Sequence, residues 1–385
     1  MSLEQVISSE VLDIRDGTHD SPKYTDSGYP LITSKNLKQG KIDFSDVNFI
    51  SEDDYLAINK RSKVDKGDIL YSMIGSIGNY AYVDKEPDYA IKNVALFKFT
   101  NEKLYNKYFL HLINSTVIKR QIERTMKGGT QKFVSLKILR NLKIPLPPID
   151  QQKKIAAILD AADAYKQKTK ALIEKYDELT QSLFLELFGD PVSNPMEWDK
   201  VALNELCDFK KTSVKPEEIE TGDTYIGLEC IEKQTGKILE RFIVEAGEIK
   251  SNKFWFDSNY ILYGKLRPYL NKVANPDFEG VCSTDIIPIR PILKNTVKEF
   301  IISLLRGSWF VSFADERCSG ANLPRISPKE VEKYQTINPP LKLQNQFAER
   351  VQAIEAQKTQ AQESLAKAED LFNSLLQRAF KGELV

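Results

Sequence analysis

Histidine and cysteine are scarce in this 385-residue chain. His19 and His111 are the only histidines, and Cys207, Cys230, Cys282 and Cys318 all fall in the second half with no C-x-x-C pair. That supply argues against a zinc site and a disulfide framework, and it leaves histidine-based catalysis poorly provided. The cysteines read as reduced packing residues. No apolar run approaches the ~18 residues of a membrane span, and the first residues carry no signal-peptide pattern. No G-x-x-x-x-G-K-[ST] is present, so ATP is not bound by that route. Net charge is absent too, 54 Lys and Arg cancelling 54 Asp and Glu. That excludes a uniformly basic protein but leaves room for a local basic patch.

What the chain does have is a repeat. From Lys143 it reads Lys-Ile-Pro-Leu-Pro-Pro-Ile-Asp-Gln-Gln, then a helix-forming run, then Leu-Phe-Gly-Asp-Pro, ending at Pro191. Pro145, Pro147 and Pro148 hold the entry extended, and Asp150 is placed to cap the helix. Apolar or small residues recur at Ile155, Ile158, Ala162, Tyr165, Thr169, Leu172, Tyr176, Leu179 and Leu183. This 3-4 spacing makes a seam that requires a partner helix. At ~1.5 Å per residue the helix reaches about 55 Å, and Gly189 and Pro191 stop it.

Shifted by 192 residues, the stretch returns: Pro147-Pro148 falls on Pro339-Pro340, Gln152 on Gln344, Leu183 on Leu375 and Phe188 on Phe380. The second seam runs Phe347, Val351, Ile354, Ala361, Leu365, Ala368, Phe372, Leu375 and Ala379. The expected packing is an antiparallel coiled coil. In it Ile155, Leu172, Tyr176, Leu179 and Leu183 face Phe347, Ile354, Leu365, Phe372 and Leu375.

The segments between repeat as well. Residues 1–146 contain a polar, turn-rich stretch, Gly17 to Tyr24, and then strand patterns at Tyr29–Thr33 and Val47–Ile50. A helix pattern covers Asp53 to Arg61, and a buried strand Asp68 to Ile74. Another strand is expected over Ala90–Phe99 and a helix over Lys103–Arg124. In 191–338, Ile261-Leu262-Tyr263 matches Ile69-Leu70-Tyr71, and Asn271, Leu304, Gly320 and Ser327 match Asn79, Leu112, Gly128 and Ser135. The fold class expected is α/β (α+β), a globular domain followed by a long helix, made twice. The boundaries are 1–146, 147–190, 191–338 and 339–385. Framework residues repeat, but loops do not: Ser72-Met73-Ile74-Gly75-Ser76 stands against Gly264-Lys265-Leu266-Arg267-Pro268.

Candidate active sites fail on inspection. Asn338-Pro339-Pro340-Leu341 lacks the aromatic of an N-P-P-aromatic base-stacking loop, and its first copy is Leu146-Pro147-Pro148-Ile149. Gly75-Ser76-Ile77-Gly78 has the form of a G-x-x-G loop, but the second copy offers Arg267-Pro268-Tyr269-Leu270. More suggestive is a basic run. Between Lys119 and Lys143 eight Lys and Arg accompany one acid, Glu123, around Gly128-Gly129-Thr130-Gln131. A polar loop flanked by cations suits phosphate.

Taken together, the chain resembles the specificity subunit of a type I restriction-modification system. The motifs that carry the resemblance are Gly17-Thr18-His19-Asp20-Ser21-Pro22-Lys23-Tyr24, Lys66-Gly67-Asp68-Ile69-Leu70-Tyr71-Ser72, Ile144 through Gln152, Leu187 through Pro191, and Phe380 through Leu384. The resemblance implies two target-recognition domains, each reading half of a split double-stranded DNA site, with two long helices as spacer. It implies two methyltransferase subunits and endonuclease/translocase subunits as partners, which would hold S-adenosylmethionine, ATP and Mg²⁺. No catalytic residue, cofactor or metal is expected in this chain, and its setting would be a prokaryotic cytoplasm without membrane contact. The DNA-contacting candidates in the first domain are His19, Ser21, Lys23, Tyr24, Lys35, Asn36, Lys92, Asn93, Lys127, Thr130, Gln131 and Lys132. In the second they are Arg267, Tyr269, Lys272, Thr284, Asp285, Arg317, Asn322 and Arg325. The other reading of the same residues is a structural adaptor, two peptide-binding domains on a coiled coil without DNA.

Overall fold

The computed structural model describes residues 4–38, 40–126, 133–320 and 322–384. The chain divides into two compact units, Met1–Lys168 with Leu365–Val385, and Thr169–Ser364. Each unit holds one globular domain and part of both long helices.

In the first unit, Gln5–Ile7 pairs antiparallel with Lys143–Pro145, so the domain's two ends lie side by side. One sheet runs in the order Asp13–Asp16, Val94–Lys98, Ile69–Ser72, Tyr80–Tyr82. A second contains Ala90–Ile91, Tyr29–Ile32, Asn48–Ile50 and Tyr24–Thr25. All four residues of Ile69–Ser72 are buried, as a continuous apolar run demands of a central strand. The expected strand Ala90–Phe99 is two strands in two sheets. Lys92 and Asn93 carry the chain across, Asn93 in the left-handed region at φ 54°, a conformation asparagine tolerates. The expected helix Lys103–Arg124 is also two, Asn106–Ile113 and Thr116–Met126. Asn114 and Ser115 end the first by turning their side chains onto Leu110 O and Leu112 O, in competition with the helical backbone.

The second unit repeats this frame in register. Its corresponding sheet runs Cys207–Asp208, Ile286–Pro291, Ile261–Gly264, Val273–Ala274. Tyr263 faces Ile287 as Tyr71 faces Ala95. The helices Lys298–Arg306 and Ser308–Glu316 break at Gly307, 192 residues after Ser115. The second sheet has five strands here, with Phe242–Ile243 at one edge.

The long helices span Ile149–Phe188 and Leu341–Lys381, 40 and 41 residues. Pro148 O accepts from the amides of Gln151 and Gln152, and Pro340 O from those of Leu343 and Gln344. Asp150 is therefore not the cap but part of the first turn, where its carboxylate favours the helix dipole. The duplicated glutamines lock each helix to its domain. Buried Gln152 accepts from Tyr105 N and donates to Lys103 O and Pro147 O. Buried Gln344 accepts from Thr296 Oγ1 and Val297 N and donates to Pro339 O.

Replacing Gln344 by Leu strands two buried donors and should destabilise the second unit by about 2–4 kcal/mol. Tryptophan fluorescence during denaturant unfolding reads this unit selectively, because Trp198, Trp255 and Trp309 all lie in it. An unshifted midpoint would contradict the lock.

Within the first unit the start of the first long helix packs beside the end of the second. Ile155, Ala156 and Leu159 share a core with Ala379 and Phe380, Phe372 and Leu375 lining it. In the second unit the other ends meet: Leu183, Phe184 and Phe188 join Phe347 and Val351, with Ile354 beside them. The pair is therefore antiparallel in each unit. Phe184 lies 5.5 Å from Phe300 and 5.2 Å from Trp309, tying helix to domain.

The second seam runs where the spacing puts it, Leu365 half-buried between the buried Ala361 and Ala368. The first does not. Ile155, Thr169 and Leu183 are buried and Tyr176 half-buried, but Leu172 and Leu179 are exposed, with Ile158 and Tyr165. The less exposed positions are one residue later, Leu159 buried and Lys166, Ile173 and Thr180 half-buried. This helix must bury against its domain as well as its partner, which turns the inward arc by about one residue, ~100°. Lys166 sits 4.2 Å over the Phe372 ring in the first unit. In the second, buried Lys358 pairs with Asp177. Ile158 and Tyr165 in the first unit, and Leu172 and Leu179 in the second, are exposed apolar residues spaced by seven in the sequence.

Candidate nucleic-acid interface

In the first domain the loop after Asp13–Asp16 docks on the crossover at Lys92-Asn93. Gly17 N donates to Val94 O, Thr18 N to Ile91 O, and Asn93 N to Thr18 O. Glycine is required at 17, since a Cβ would stand 2.4 Å from Ile91 O. This docking gathers four of the candidates. His19 Nδ1 lies 2.8 Å from Asn93 Oδ1, and Lys92 Nζ donates to Ser21 Oγ at 2.7 Å. His19 Nε2 lies 2.8 Å from Asp16 Oδ2, whose other oxygen accepts from Arg61. Asp16 and Arg61 carry no sequence signal of their own. They read as an ordinary strand end and a solvated helix end, and only the fold joins them to His19.

Lys23 and Tyr24 are exposed on the same loop, Tyr24 opening a short edge strand. Lys35 is exposed but paired with Asp46 at 3.0 Å. Asn36 is not a DNA-facing residue. It is 2% exposed, accepting from Thr33 N and Thr33 Oγ1 and donating to Asp43 O and Asp46 O, so its amide is consumed by the turn it holds. Lys127, Thr130, Gln131 and Lys132 lie outside the described residues. Of the flanking basic run, Lys119, Arg120, Arg124 and Lys137 are exposed, while Arg140 donates to Ile14 O.

The second domain builds its surface on the same frame. Leu266 bridges Arg325 as Ile74 bridges Phe133. Ile326 N donates to Lys265 O as Val134 N does to Met73 O. Arg325 reaches Asp285 at 3.0 and 3.3 Å, with Lys265 Nζ 3.8 Å from the same carboxylate. Asp285 occupies the repeat position of Asn93. Arg267 and Tyr269 are exposed beside this pair, on a turn whose ends Arg267 and Asn271 adopt φ 52° and 50°. Thr284 and Asn322 are exposed as well.

Two candidates are turned elsewhere. Lys272 donates inward to Leu228 O at 2.6 Å, because its strand neighbour Val273 fixes it over the inner turn. Arg317 lies 4.1 Å over the Phe313 ring and beside Glu316 at its helix end. Among the described residues no group of three His, Cys, Asp or Glu could hold a metal ion. Cys207, Cys230 and Cys282 are buried, and burial pushes the Cys282 thiol up to about 12. No helix of the described residues is long and apolar enough to cross a membrane.

Two like frames carrying unlike polar loops are matched by the family comparison. Residues 8–175 and 195–369 each match the model of the type I restriction modification DNA specificity domain. The chain belongs to the type I restriction-modification specificity family. Among its relatives, the EcoKI specificity subunit of Escherichia coli K12 is 23% identical over 93% of this chain and 83% of its own length. The EcoDI specificity subunit of Escherichia coli is 25% identical over 69% and 67%. The MjaVIII specificity subunit of Methanocaldococcus jannaschii reaches 30% identity over 47% and 45%. The crystal structure of the S subunit from M. genitalium shares the fold, with TM-score 0.58 and 18% identity over 99% of this chain and 96% of that one. This specificity subunit is a non-catalytic DNA-recognition chain, and the adaptor reading is not favoured.

Proposed function

We propose that this specificity subunit reads a split duplex site, its first domain one half and its second the other, with unread base pairs between. The observation that supports this is one framework made twice with different side chains at equivalent loop positions: Lys92, Asn93, Gly75 and Phe133 in the first domain stand where the second has Thr284, Asp285, Arg267 and Arg325. Lysine and arginine would neutralise phosphates, and the loop side chains would read base edges. Binding should therefore weaken steeply with added salt, log K falling by about 0.9 per phosphate contact against log salt. Salt-insensitive association would favour a protein adaptor.

The partners in this reading are two methyltransferase subunits and endonuclease/translocase subunits in a prokaryotic cytoplasm, with S-adenosylmethionine, ATP and Mg²⁺ held by those partners. Exposed apolar residues on the first long helix, in each unit, support a docking role. Ile158 is 37% exposed, Tyr165 54%, Leu172 43% and Leu179 49%, and burying each would contribute about 1.5–3 kcal/mol. Glutamate at both 172 and 179 should abolish co-purification of the methyltransferase. Intact assembly would place docking elsewhere.

A further inference from the structure

We propose that Asp16 is a positioning residue for the first half-site: its carboxylate holds His19 and Arg61 side by side, the imidazole doubly protonated, as a cationic pair for duplex phosphate. This rests on the DNA-recognition reading above and adds a proton to it.

Asp16 closes the strand Asp13–Asp16 with its side chain only 7% exposed. A carboxylate so buried needs partners on both oxygens, and it has them: Arg61 Nη2 on Oδ1 and His19 Nε2 on Oδ2. The two cations themselves face solvent, His19 with 60% of its side chain exposed and Arg61 with 70%. One anion shared by two cations leaves a net positive pair on the surface, beside Lys92, whose ammonium is met by the neutral Ser21 hydroxyl. Phosphate is the partner such a pair suits.

The imidazole's protonation is set by its surroundings. A neutral ring has one N–H to give, yet both nitrogens of His19 face oxygens, Asn93 Oδ1 and Asp16 Oδ2, each at 2.8 Å. With the Asn93 carbonyl oxygen turned to the ring, as here, the imidazolium donates to both. Hydrogen bonds to Asn93 and then to Asp16 raise the ring's pKa, with partial burial and the Arg61 charge opposing. The charged groups on the elements around the ring are Asp16 on its strand, Arg61 on the helix Glu52–Ser62, Lys92 at the crossover, and Asp20 and Lys23 on its own loop. The second domain has no histidine. At the position of Asn93 stands Asp285, paired with Arg325, a cation that does not titrate near neutrality. Only the first half-site should therefore be read through a proton.

The sign is fixed by linkage. Duplex that favours the imidazolium binds with constant affinity below the free His19 midpoint. Above it affinity falls, by up to tenfold per pH unit, until the midpoint of the bound state is passed.

The experiment uses the full chain with histidine-selective labelling, where His19 and His111 give the two ring signals and His19→Gln assigns them. The expected His19 midpoint lies above the ordinary value of about 6.5 and rises when duplex carrying only the first half-site is added. Binding to that duplex should drop about tenfold across the transition, while binding to a duplex carrying only the second half-site stays flat. Asp16→Asn should lower the midpoint and flatten the pH profile. An Asp16 that merely braced the fold would weaken binding and leave the profile's slope intact. A midpoint at or below about 6.5, an equal pH dependence on both half-sites, or an unchanged profile in Asp16→Asn overturns the proposal. Failure to bind any duplex at any pH overturns the DNA-recognition reading itself, and this proposal with it.

Discussion

Exchanging residues 198–338 for the corresponding block of another specificity subunit should change the second half-site and leave the first intact. The block is well placed for this. Lys200–Ala202 pairs with Gln335–Ile337, and Asn338 N donates to Asp199 O, so the chain enters and leaves at one point. The block is not independent of the helices, however. Phe300 and Trp309 stack on Phe184, and Thr296 and Val297 hold Gln344. A donor keeping bulky apolar residues at 300 and 309 should fold; one with polar residues there would uncover Phe184. Each wrong base pair costs about 1–3 kcal/mol, so affinity for the old second half-site should fall by orders of magnitude. If both half-sites changed together, one reader per domain would be wrong.

A heptad added to each long helix, between Lys168 and Thr169 and between Ser364 and Leu365, should lengthen the unread spacer. This expectation rests on the proposed split site and on the spacer role that the family resemblance implies for the two long helices. Seven residues add ~10 Å and turn each packed face by only about 20°, so the antiparallel pairing can persist. Duplex rises 3.4 Å per base pair, which makes the increase roughly 3 base pairs. Those pairs also turn the second half-site by about 100° around the duplex, and the twist needed to recover register should cost affinity. The half-site sequences themselves should stay the same. Selection from duplexes of graded spacer length measures this, and an unchanged optimum would mean the helices do not set the distance.

The repeat was legible because its marks are chemical. Gln152 and Gln344 recur since each satisfies one amide and one proline carbonyl at matching positions of a helix start, with Lys103 O added in the first copy and the Thr296 hydroxyl in the second. Ser135 and Ser327 recur as caps, accepting from Ile138 N and Glu330 N. Positions set by tertiary choice were less legible. Ile158 and Leu172 fit an apolar heptad as well as Leu159 and Ile173 do, and the domain's pull on the helix selected the latter.

Among the loop residues, side-chain type identified polar groups but not their direction. Asn36 and Lys272 turn inward to satisfy backbone carbonyls. His19 and Arg61 are 42 residues apart in sequence and meet only through the buried Asp16. The break at Ser115 and its counterpart Gly307 went unread because helical periodicity continues across both.

The central claim is that this chain alone chooses the DNA sequence, in two parts. It is tested most directly by mapping methylated bases across a genome that expresses its methyltransferase partner with and without this chain. The account predicts one motif of two half-sites at a fixed separation, present only when the chain is expressed. Methylation at the same positions without the chain, or at a single uninterrupted motif, would contradict it.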